Sequence, residues 1–581
     1  MDRKPEKLLA AHKEGRLIEV AYEMSHGGRE NRLSVSDLLA ELHNKGDIDL
    51  IDAFSGLQKN TPNGPDFFSS RHLFEKALPT LTASVVEVMV CIQHLATEAG
   101  NDLAANTVFE PFIDFLATDP SRPSQALDAI HEAPDKWASF VFPAILAGTR
   151  ISLEEYFWHA VKLVDHASAD IGRNAIYALG RIPYPEGSPY PKRVMEQVVH
   201  AVKKKSDDAD MAVVIKTTSS LARINATLEE KSHEVISIAL EKGSDLALYA
   251  ATEEFGFHTN DLPGQLLNIF ISHIPRIKSE NKGAIDNIDF GISALFKKDT
   301  NLAIECLENI LLSNRDTSSL KMFDSVIHEI LSMGLSTLNH LLTRWFIKGD
   351  RVLCTAIREI LDSVHGDQME LEVNPKALPN STPITIIFLA RKAIGYLFYK
   401  PVTASSIIVS LLRVAKDDAA MKDLEELLLD PILMNYPGSV PDFLECQVSK
   451  EPENVSAFIK SVMARFDKYM ENIRGIGEIP ELLPALKQRE AYTRNFNRQM
   501  SASYKQAMKG SIVEMIATKS VILYGRSSIN YVQQGTSGPS RMEIPMQAHS
   551  VEMEFPRRHN LDPFGLEYML RLFRAERLVA R

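Results

Sequence analysis

The chain has few cysteines, and none of them stands in the paired spacing that holds zinc. Their wide separation predicts buried thiols in a reducing compartment rather than a disulfide framework. Cys91 and His94 share a helix face, but two ligands do not close a metal site, so core packing is the preferred interpretation. The four positions are Cys91, Cys306, Cys354 and Cys446.

The sequence also has no long apolar run. The most apolar stretch, residues 383–390, is interrupted by Arg391 and Lys392 before it reaches the length that spans a bilayer. Residues 1–7 are charged and are not followed by the apolar segment of a signal peptide. We therefore expect a cytoplasmic protein with no membrane partner.

Catalytic motifs are missing as well. The sequence shows no nucleotide-binding loop, zinc-ligand helix, nucleophile elbow or Cys–His arrangement of a thiol enzyme. We therefore expect no cofactor and no metal, and the sequence favours a function other than catalysis.

The composition indicates a folded chain of more than one core. Hydrophobic residues make up 45% of the 581 residues and charged residues 24%, which excludes wholesale disorder. A chain of this length exceeds the size at which a single core keeps growing. It must therefore contain several domains or an elongated repeat array.

The net charge of −12 is unevenly distributed. Residues 487–581 contain 15 Lys and Arg and 8 Asp and Glu, a net charge of +7. The preceding 486 residues contain 49 basic and 68 acidic residues, a net charge of −19. The sequence thus combines an acidic body with a basic tail.

A repeated helical pattern begins at Asp119. Residues 152–164 and 170–182 read as two short helices joined by a turn, the second starting at an acidic residue with an Arg three positions later. Ile182 and Ile224 take the same place in successive units, 42 residues apart. Further predicted helices also start at an acidic residue, at Asp210, Asp245 and Asp350.

This pattern, over residues 119–366, resembles HEAT and armadillo repeats, whose period is about 40 to 47 residues. The resemblance implies a mainly α-helical fold, a HEAT-like α-solenoid of stacked helical hairpins. The patterns nearer the C-terminus predict that a small α+β module follows it. Stacked hairpins share one core and leave a long surface free. That surface serves either as a binding groove for a partner or merely as a spacer between the termini, and the resemblance favours binding.

The sequence predicts six segments. They are an N-terminal helical cap over residues 1–118, the HEAT-like solenoid over 119–366, a linker over 367–382, a second helical segment over 383–486, a basic amphipathic helix over 487–519, and a β-hairpin with a short helix over 520–581.

The basic helix carries the strongest pattern of the chain. Five basic residues fall within a sector of about 60° on a helical projection. They are candidate contacts for phosphate or for an acidic partner: Lys487, Arg494, Arg498, Lys505 and Lys509. Apolar residues line the opposite side and are expected to pack on the body: Tyr492, Phe496, Met500, Tyr504 and Met508. The drift of this stripe predicts a bend near Gly510.

Three interpretations of this cationic stripe remain open. The stripe is a solvated face, or it docks on the acidic body of this chain or of another copy, or it contacts the phosphates of a nucleic acid.

Period-two patterns follow Lys519. Residues 520–525 and 527–532 are β-rich, residues 534–540 read as a loop, and alternation resumes at Ile544 with an expected bulge near His549 and Ser550. Pro545 suits an edge strand. Asp562, as N-cap, and Pro563 are expected to open the last helix.

Two polar clusters have competing interpretations. One cluster consists of His159, His166, Asp165 and Asp170. A His beside an Asp can act as a proton relay, but the simpler interpretation is that these residues make polar contacts at the rim of a repeat. Asp207, Asp208 and Asp210 read as a cation site or as helix caps, and capping is the better explanation because helix N-termini favour acids.

The sequence therefore predicts a non-enzymatic scaffold that binds a partner protein through a solenoid surface, as an accessory subunit of a larger assembly. The alternative is a nucleic-acid-associated accessory protein that uses its basic C-terminal region, and a homo-oligomer formed through the C-terminal module is a further option. A third hypothesis, an enzyme, requires one pocket formed by Tyr524, Arg526, His549 and His559.

Overall fold

The structure is a computed structural model. It describes residues 4–26, 34–61, 64–100, 102, 104–315, 319–364, 369–378, 381–477, 485–508, 517–523, 527–534, 537–545 and 554–578. The chain forms two compact units, Met1–Ser332 and Met333–Arg581.

The first unit is helical throughout its described residues. Its helices are α1 (Lys4–Lys13), α2 (Leu17–His26), α3 (Val35–Asn44), α4 (Leu50–Ser55), α5 (Phe67–Ala77), α6 (Val85–Ala99), α7 (Phe109–Ala117), α8 (Arg122–Glu132), α9 (Pro134–Trp137), α10 (Val141–Ile151), α11 (Leu153–Leu163), α12 (Ala169–Arg181), α13 (Tyr190–Lys204), α14 (Asp208–Ile224), α15 (Glu229–Lys242), α16 (Asp245–His258), α17 (Gly264–His273), α18 (Lys282–Lys298), α19 (Thr300–Ser313) and α20 (Asp324–Ser332). Short 3-10 turns join several of them, at Leu78–Thr80, Ala105–Val108, Ala138–Phe140, Ala226–Leu228, Ile274–Arg276 and Leu320–Met322.

These helices pack in two layers. In one layer α10 packs on α12, and the contact continues through α14, α16 and α18 to α20. In the other layer α13 packs on α15, and α15 packs on α17. Each helix buries the apolar stripe that a single hairpin leaves exposed, as Ile171, Ala175 and Leu179 do on α12.

Close approach between neighbouring helices depends on small residues. A Cβ atom on Gly256 of α16 would lie 2.5 Å from the carbonyl oxygen of Asn287 on α18. The two backbones therefore meet at a distance that only glycine permits.

The second unit begins with helices and ends in a mixed segment. Its elements are α21 (Leu335–Lys348), α22 (Arg351–Ser363), a 3-10 turn (Pro375–Ala377), α23 (Pro383–Leu397), α24 (Pro401–Val414), α25 (Asp418–Leu427), a π-turn (Leu428–Leu433), α26 (Ser439–Val448), α27 (Glu453–Ile476), α28 (Leu486–Met508), β1 (Ala517–Leu523), β2 (Ser527–Gln534), β3 (Ser537–Pro545), α29 (Arg557–Leu561) and α30 (Pro563–Ala575). Among these, α23 is the central helix, in contact with α21, α22, α24, α25 and α30.

The segment predicted as a linker over residues 367–382 is packed where the structure describes it. Leu371 and Val373 are buried. Their amide groups donate to the hydroxyls of Ser406 and Ser410, each at 2.9 Å. The extended backbone is thereby held against α24.

The sheet differs from the predicted hairpin. It has three antiparallel strands in the order β1-β2-β3. Ser537 and Ser540, predicted to lie in a loop, pair with β2, because main-chain hydrogen bonding needs no apolar side chain. Strand β1 starts at Ala517, within the range predicted as basic helix, and α28 ends at Met508. Pro545 ends the edge strand β3, as predicted.

Two features predicted around the sheet lie outside the described residues. They are the bend near Gly510 and the bulge near His549 and Ser550.

The last helix returns to the body of the second unit. Leu566 and Leu570 of α30 are buried, and Gly395 of α23 lies against the backbone of Arg574. Asp562 caps α30 by accepting from the Gly565 amide at 2.9 Å, and Pro563 follows it, as predicted. The C-terminal helix is therefore part of the second unit's core.

The mainly α-helical, repeat-like fold confirms the predicted fold class. The assignment to HEAT-like solenoids stays a prediction.

Candidate functional site

An exposed pair of aromatic residues marks one face of the first unit. Phe257 on α16 is 64% exposed and Phe290 on α18 is 51% exposed, and their ring centroids lie 6.4 Å apart. Ile224 at the end of α14 and Leu246 at the start of α16 are also more than half exposed. Large apolar side chains in contact at a surface are typical of a binding site.

A second aromatic pair lies on the same layer of helices. Phe142 of α10 and Tyr177 of α12 have ring centroids 5.1 Å apart. The Arg181 guanidinium lies 5.3 Å from the Tyr177 ring centroid, where it attracts the negative face of the ring.

Ion pairs lie on the helices between the two aromatic pairs. Lys216 of α14 contacts Glu253 of α16 at 2.5 Å. Deeper between the same helices, Arg223 pairs with Glu254, which is almost fully buried. Burial raises the pKa of the Glu254 carboxyl, although Arg223 opposes the shift. We name the set Phe142, Tyr177, Lys216, Glu253, Phe257 and Phe290 the aromatic face.

The unit that carries the aromatic face is acidic. Residues 1–332 contain 33 Lys and Arg and 48 Asp and Glu, a net charge of −15. The negative electrostatic potential of such a unit favours a positively charged partner.

The predicted basic contacts are only partly described. Lys487, Arg494 and Arg498 of α28 are exposed, and none of the three pairs with an acidic group in the part of the chain that the structure describes. The side chain of Lys505 and the whole of Lys509 lie outside the described residues.

On the predicted apolar side of α28, the described residue Tyr492 does not pack on the body. Tyr492 is 68% exposed, so the prediction is wrong for this residue. The side chains of Phe496, Met500, Tyr504 and Met508 lie outside the described residues. The described first half of α28 therefore presents both its cations and Tyr492 to solvent.

No protein-family model matches this sequence, and no curated protein matches it. Among the described helices, none is long and apolar enough to cross a membrane.

Asp207 and Asp208 act as helix caps, which confirms the preferred interpretation for these two residues, whereas Asp210 forms an ion pair. Asp207 accepts from the Ala209 amide at 2.8 Å at the start of its own helix. Asp208 caps the neighbouring α16. Asp210 pairs with Lys205 at 3.3 Å.

The His and Asp residues near position 165 do not form a relay. Asp165 pairs with Lys204 at 3.0 Å, and Asp170 pairs with Arg173 at 2.7 Å. His166 accepts from the Ser168 amide at 3.0 Å. The interpretation as polar contacts therefore fits.

Three of the four cysteines are buried, as predicted. Burial raises the pKa of the Cys91 thiol to about 12, and the His94 ring contacts the Leu57 carbonyl oxygen at 2.8 Å, which fits core packing. The prediction is wrong for Cys446, which is exposed because α26 buries the opposite side through Val440, Phe443 and Leu444.

The proposed enzymatic quartet is not assembled by the described residues. His559 is exposed, and Tyr524, Arg526 and His549 lie outside the described part of the chain.

The structure also brings together an arginine cluster that the sequence did not indicate. Residues of α22 and of the C-terminal helix line one pocket in the second unit: Arg351, Arg358, Arg571, Arg574 and Arg577. The only sequence signal was the placement of Arg351 and Arg358 two turns apart on one helix face. Their proximity to the tail arginines depends on the return of α30.

Proposed function

We propose that this protein is a non-enzymatic scaffold that binds a basic amphipathic segment of a partner protein on the aromatic face. The observation that carries the proposal is the contact between Phe257 and Phe290, two phenylalanines that remain more than half exposed on adjacent stacked helices.

The chemistry of the face suits a protein partner. Fully burying a phenylalanine stabilises a complex by about 1.5–3 kcal/mol, and aromatic side chains dominate the binding energy of most interfaces. The Lys216–Glu253 pair lies on the same layer of helices, where it supplies polar groups that orient the partner. The apolar contacts thus supply the affinity, and the ion pair fixes the position of the partner on the face.

The charge of the unit defines the partner further. A net charge of −15 over residues 1–332 repels acidic proteins and accelerates the association of basic ones. The binding rate is therefore expected to fall as salt is added, while the dissociation rate depends mainly on the aromatic contacts.

The test compares two double variants of the full chain. Phe257→Glu with Phe290→Glu places charge on the aromatic face, and Val86→Glu with Val90→Glu makes the same change at two other exposed apolar residues, on α6. Both proteins are used to capture partners from the cells that produce the protein, with quantification by mass spectrometry and with circular dichroism as the folding control.

The proposal predicts a protein that wild type and the α6 variant retain equally and that the aromatic-face variant loses. A set of retained proteins that is identical for all three would contradict it.

A second candidate function rests on α28. Its exposed, unpaired cations Lys487, Arg494 and Arg498 favour phosphate contacts with a nucleic acid. This candidate predicts oligonucleotide binding that weakens steeply with salt and disappears when Arg494, Arg498, Lys505 and Lys509 become Glu. Binding that survives this quadruple change would exclude it, and the aromatic-face variant serves as the control that retains nucleic-acid binding.

A further inference from the structure

The arginine pocket of the second unit concentrates positive charge from two helices. It is a cavity of about 500 Å³ between α22, α23 and the end of α30. Five arginines line it, and no carboxylate is among the described residues that do so. A volume of this size holds a small-molecule ligand.

Two of these arginines are held in place by main-chain carbonyl groups. Arg574 Nε donates to the Gly395 carbonyl oxygen at 2.6 Å, and Arg577 donates to the Gly349 carbonyl oxygen at 2.5 Å. Carbonyl groups fix the direction of a guanidinium but carry no net charge. The positive charge of Arg577 therefore remains available to a ligand, and Arg574 has only a long contact with Glu567, at 3.7 Å.

The remaining three arginines have few acidic partners. Arg571 pairs with Glu567 at 2.9 Å, and the same carboxylate lies 3.7 Å from Arg574. Arg358 is 3.9 Å from Asp362. The Arg351 guanidinium has no hydrogen bond or ion pair with any residue that the structure describes.

The other carboxylates near the pocket are already engaged. Asp350 caps α22 through the Val352 amide at 2.9 Å, and Glu576 pairs with Arg391 at 3.0 Å. The five guanidinium groups of the pocket outnumber the carboxylates nearest to them, those of Glu567, Asp362 and Asp350, so the pocket keeps an excess of positive charge. Like charges held this closely repel one another unless an anion is present.

A buried hydroxyl also contributes to the wall of the pocket. Tyr396 is 6% exposed, and its hydroxyl has no hydrogen-bond partner among the described residues. Burial raises the pKa of the tyrosine, so the hydroxyl stays protonated and is a donor without an acceptor. An unpaired buried donor is costly, and a ligand oxygen would satisfy it.

We propose that this pocket binds a small molecule that carries two linked phosphate groups, as in a nucleoside diphosphate. Two linked phosphates carry about three negative charges at neutral pH, which suits a pocket with an excess of positive charge. The planar fork of arginine forms paired hydrogen bonds with phosphate oxygens. The ligand contacts both α22 and α30, so its binding also holds the C-terminal helix in its docked position.

The test is calorimetric titration of the full chain with inorganic pyrophosphate, adenosine diphosphate and inorganic phosphate at fixed ionic strength. Pyrophosphate and the nucleotide are expected to bind, and inorganic phosphate is expected to bind at least about tenfold more weakly. Bound ligand is also expected to slow amide hydrogen exchange in residues 563–575.

Variants assign the binding to the pocket. Arg351→Gln with Arg358→Gln is expected to weaken pyrophosphate binding at least about tenfold. Tyr396→Phe is expected to weaken it several-fold with an unchanged fold, because it removes only the hydroxyl. The matched control, Arg150→Gln with Arg193→Gln at two exposed arginines of the first unit, makes the same change of charge and is expected to bind normally.

Three results would overturn this proposal. They are no binding of either diphosphate at about 1 mM, equal weakening in the pocket variant and the first-unit control, and displacement of pyrophosphate by a single-stranded oligonucleotide, which would assign the pocket to nucleic acid.

Discussion

The carboxylate of Asp208 caps the helix of the next hairpin through Ser244. The Ser244 amide donates to Oδ1 at 2.6 Å and the Ser244 hydroxyl donates to Oδ2 at 2.7 Å. Asp289 repeats the arrangement on the next helix pair, where it accepts from the Ser325 and Val326 amides, each at 2.9 Å. Helix caps as well as apolar contacts thus join α14 to α16 and α18 to α20.

Asp208→Asn is expected to weaken the start of α16 by about 0.5–2 kcal/mol. The measurement is the free energy of local opening from amide hydrogen exchange of residues 245–258 in the full chain. Asp286→Asn, an exposed carboxylate on α18, is the control and is expected to change little. Equal opening free energies in wild type and Asp208→Asn would contradict the capping role.

The same carboxylate predicts a dependence on pH. Burial raises the pKa of Asp208, but hydrogen bonds from Ser244, Leu246 and Ala247 outweigh it, so the pKa lies below its ordinary value of 3.8. The stabilisation is therefore complete above that value and is lost as the pH falls below it. Wild type is expected to lose protection of α16 in acid more steeply than Asp208→Asn.

Gly256→Ala is expected to destabilise the first unit by about 1–3 kcal/mol, because the new methyl group overlaps the Asn287 carbonyl oxygen. Gly264→Ala is the matched control, since a Cβ atom there meets nothing within 4 Å. Thermal unfolding of both variants measures the difference. A melting temperature that falls equally in both would show that the helix approach is looser than described.

Lys392→Met is expected to release the C-terminal helix. The buried Lys392 ammonium donates to the carbonyl oxygens of Arg574 at 2.6 Å and Glu576 at 2.8 Å, and each oxygen left unpaired costs about 1–3 kcal/mol. Trypsin is expected to cleave the segment after residue 563 faster than in wild type. The exposed Lys376→Met is the control, and equal cleavage rates would refute the anchoring role.

Arg223→Met is expected to lower the free energy of unfolding by about 3–5 kcal/mol, because it leaves Glu254 charged and buried without its partner. Adding Glu254→Gln should restore much of the loss, which unfolding in denaturant measures. Burial raises the pKa of Glu254 above its ordinary value of 4.5. The contribution of this carboxyl group to the free energy of unfolding is therefore largest below pH 4.5 and declines as the pH rises toward the raised pKa. A double variant no more stable than Arg223→Met alone would contradict the pairing.

Local signals in the sequence predicted local structure. Four helices begin within one turn of the acidic residues that predicted them, Asp170, Asp210, Asp245 and Asp350. The turn at Asp562 was confirmed because a cap and a proline act within one helical turn. Equivalent positions in successive repeat units predicted burial less reliably. Ile182 is buried but Ile224 is 54% exposed, although both follow the same Leu-x-Arg pattern, because burial depends on the neighbouring hairpin and not on the motif.

Long-range contacts could not be predicted from the sequence. Arg351 and Arg577 line one pocket only because α30 returns to α23, and no periodic pattern encodes that return. The basic helix drew attention because its charges share one helix face, whereas the arginine pocket assembles its charges from distant segments. Phe257 and Phe290 were not distinguished from core residues for the same reason.

The most direct test of the scaffold is a photo-activated cross-linker placed at position 257 of the full chain in the cells that produce it, with position 86 as the exposed apolar control. The account predicts a protein adduct at position 257, mapped to a basic amphipathic segment of another protein, and no such adduct at position 86. Adducts at position 86 but none at position 257 would contradict it.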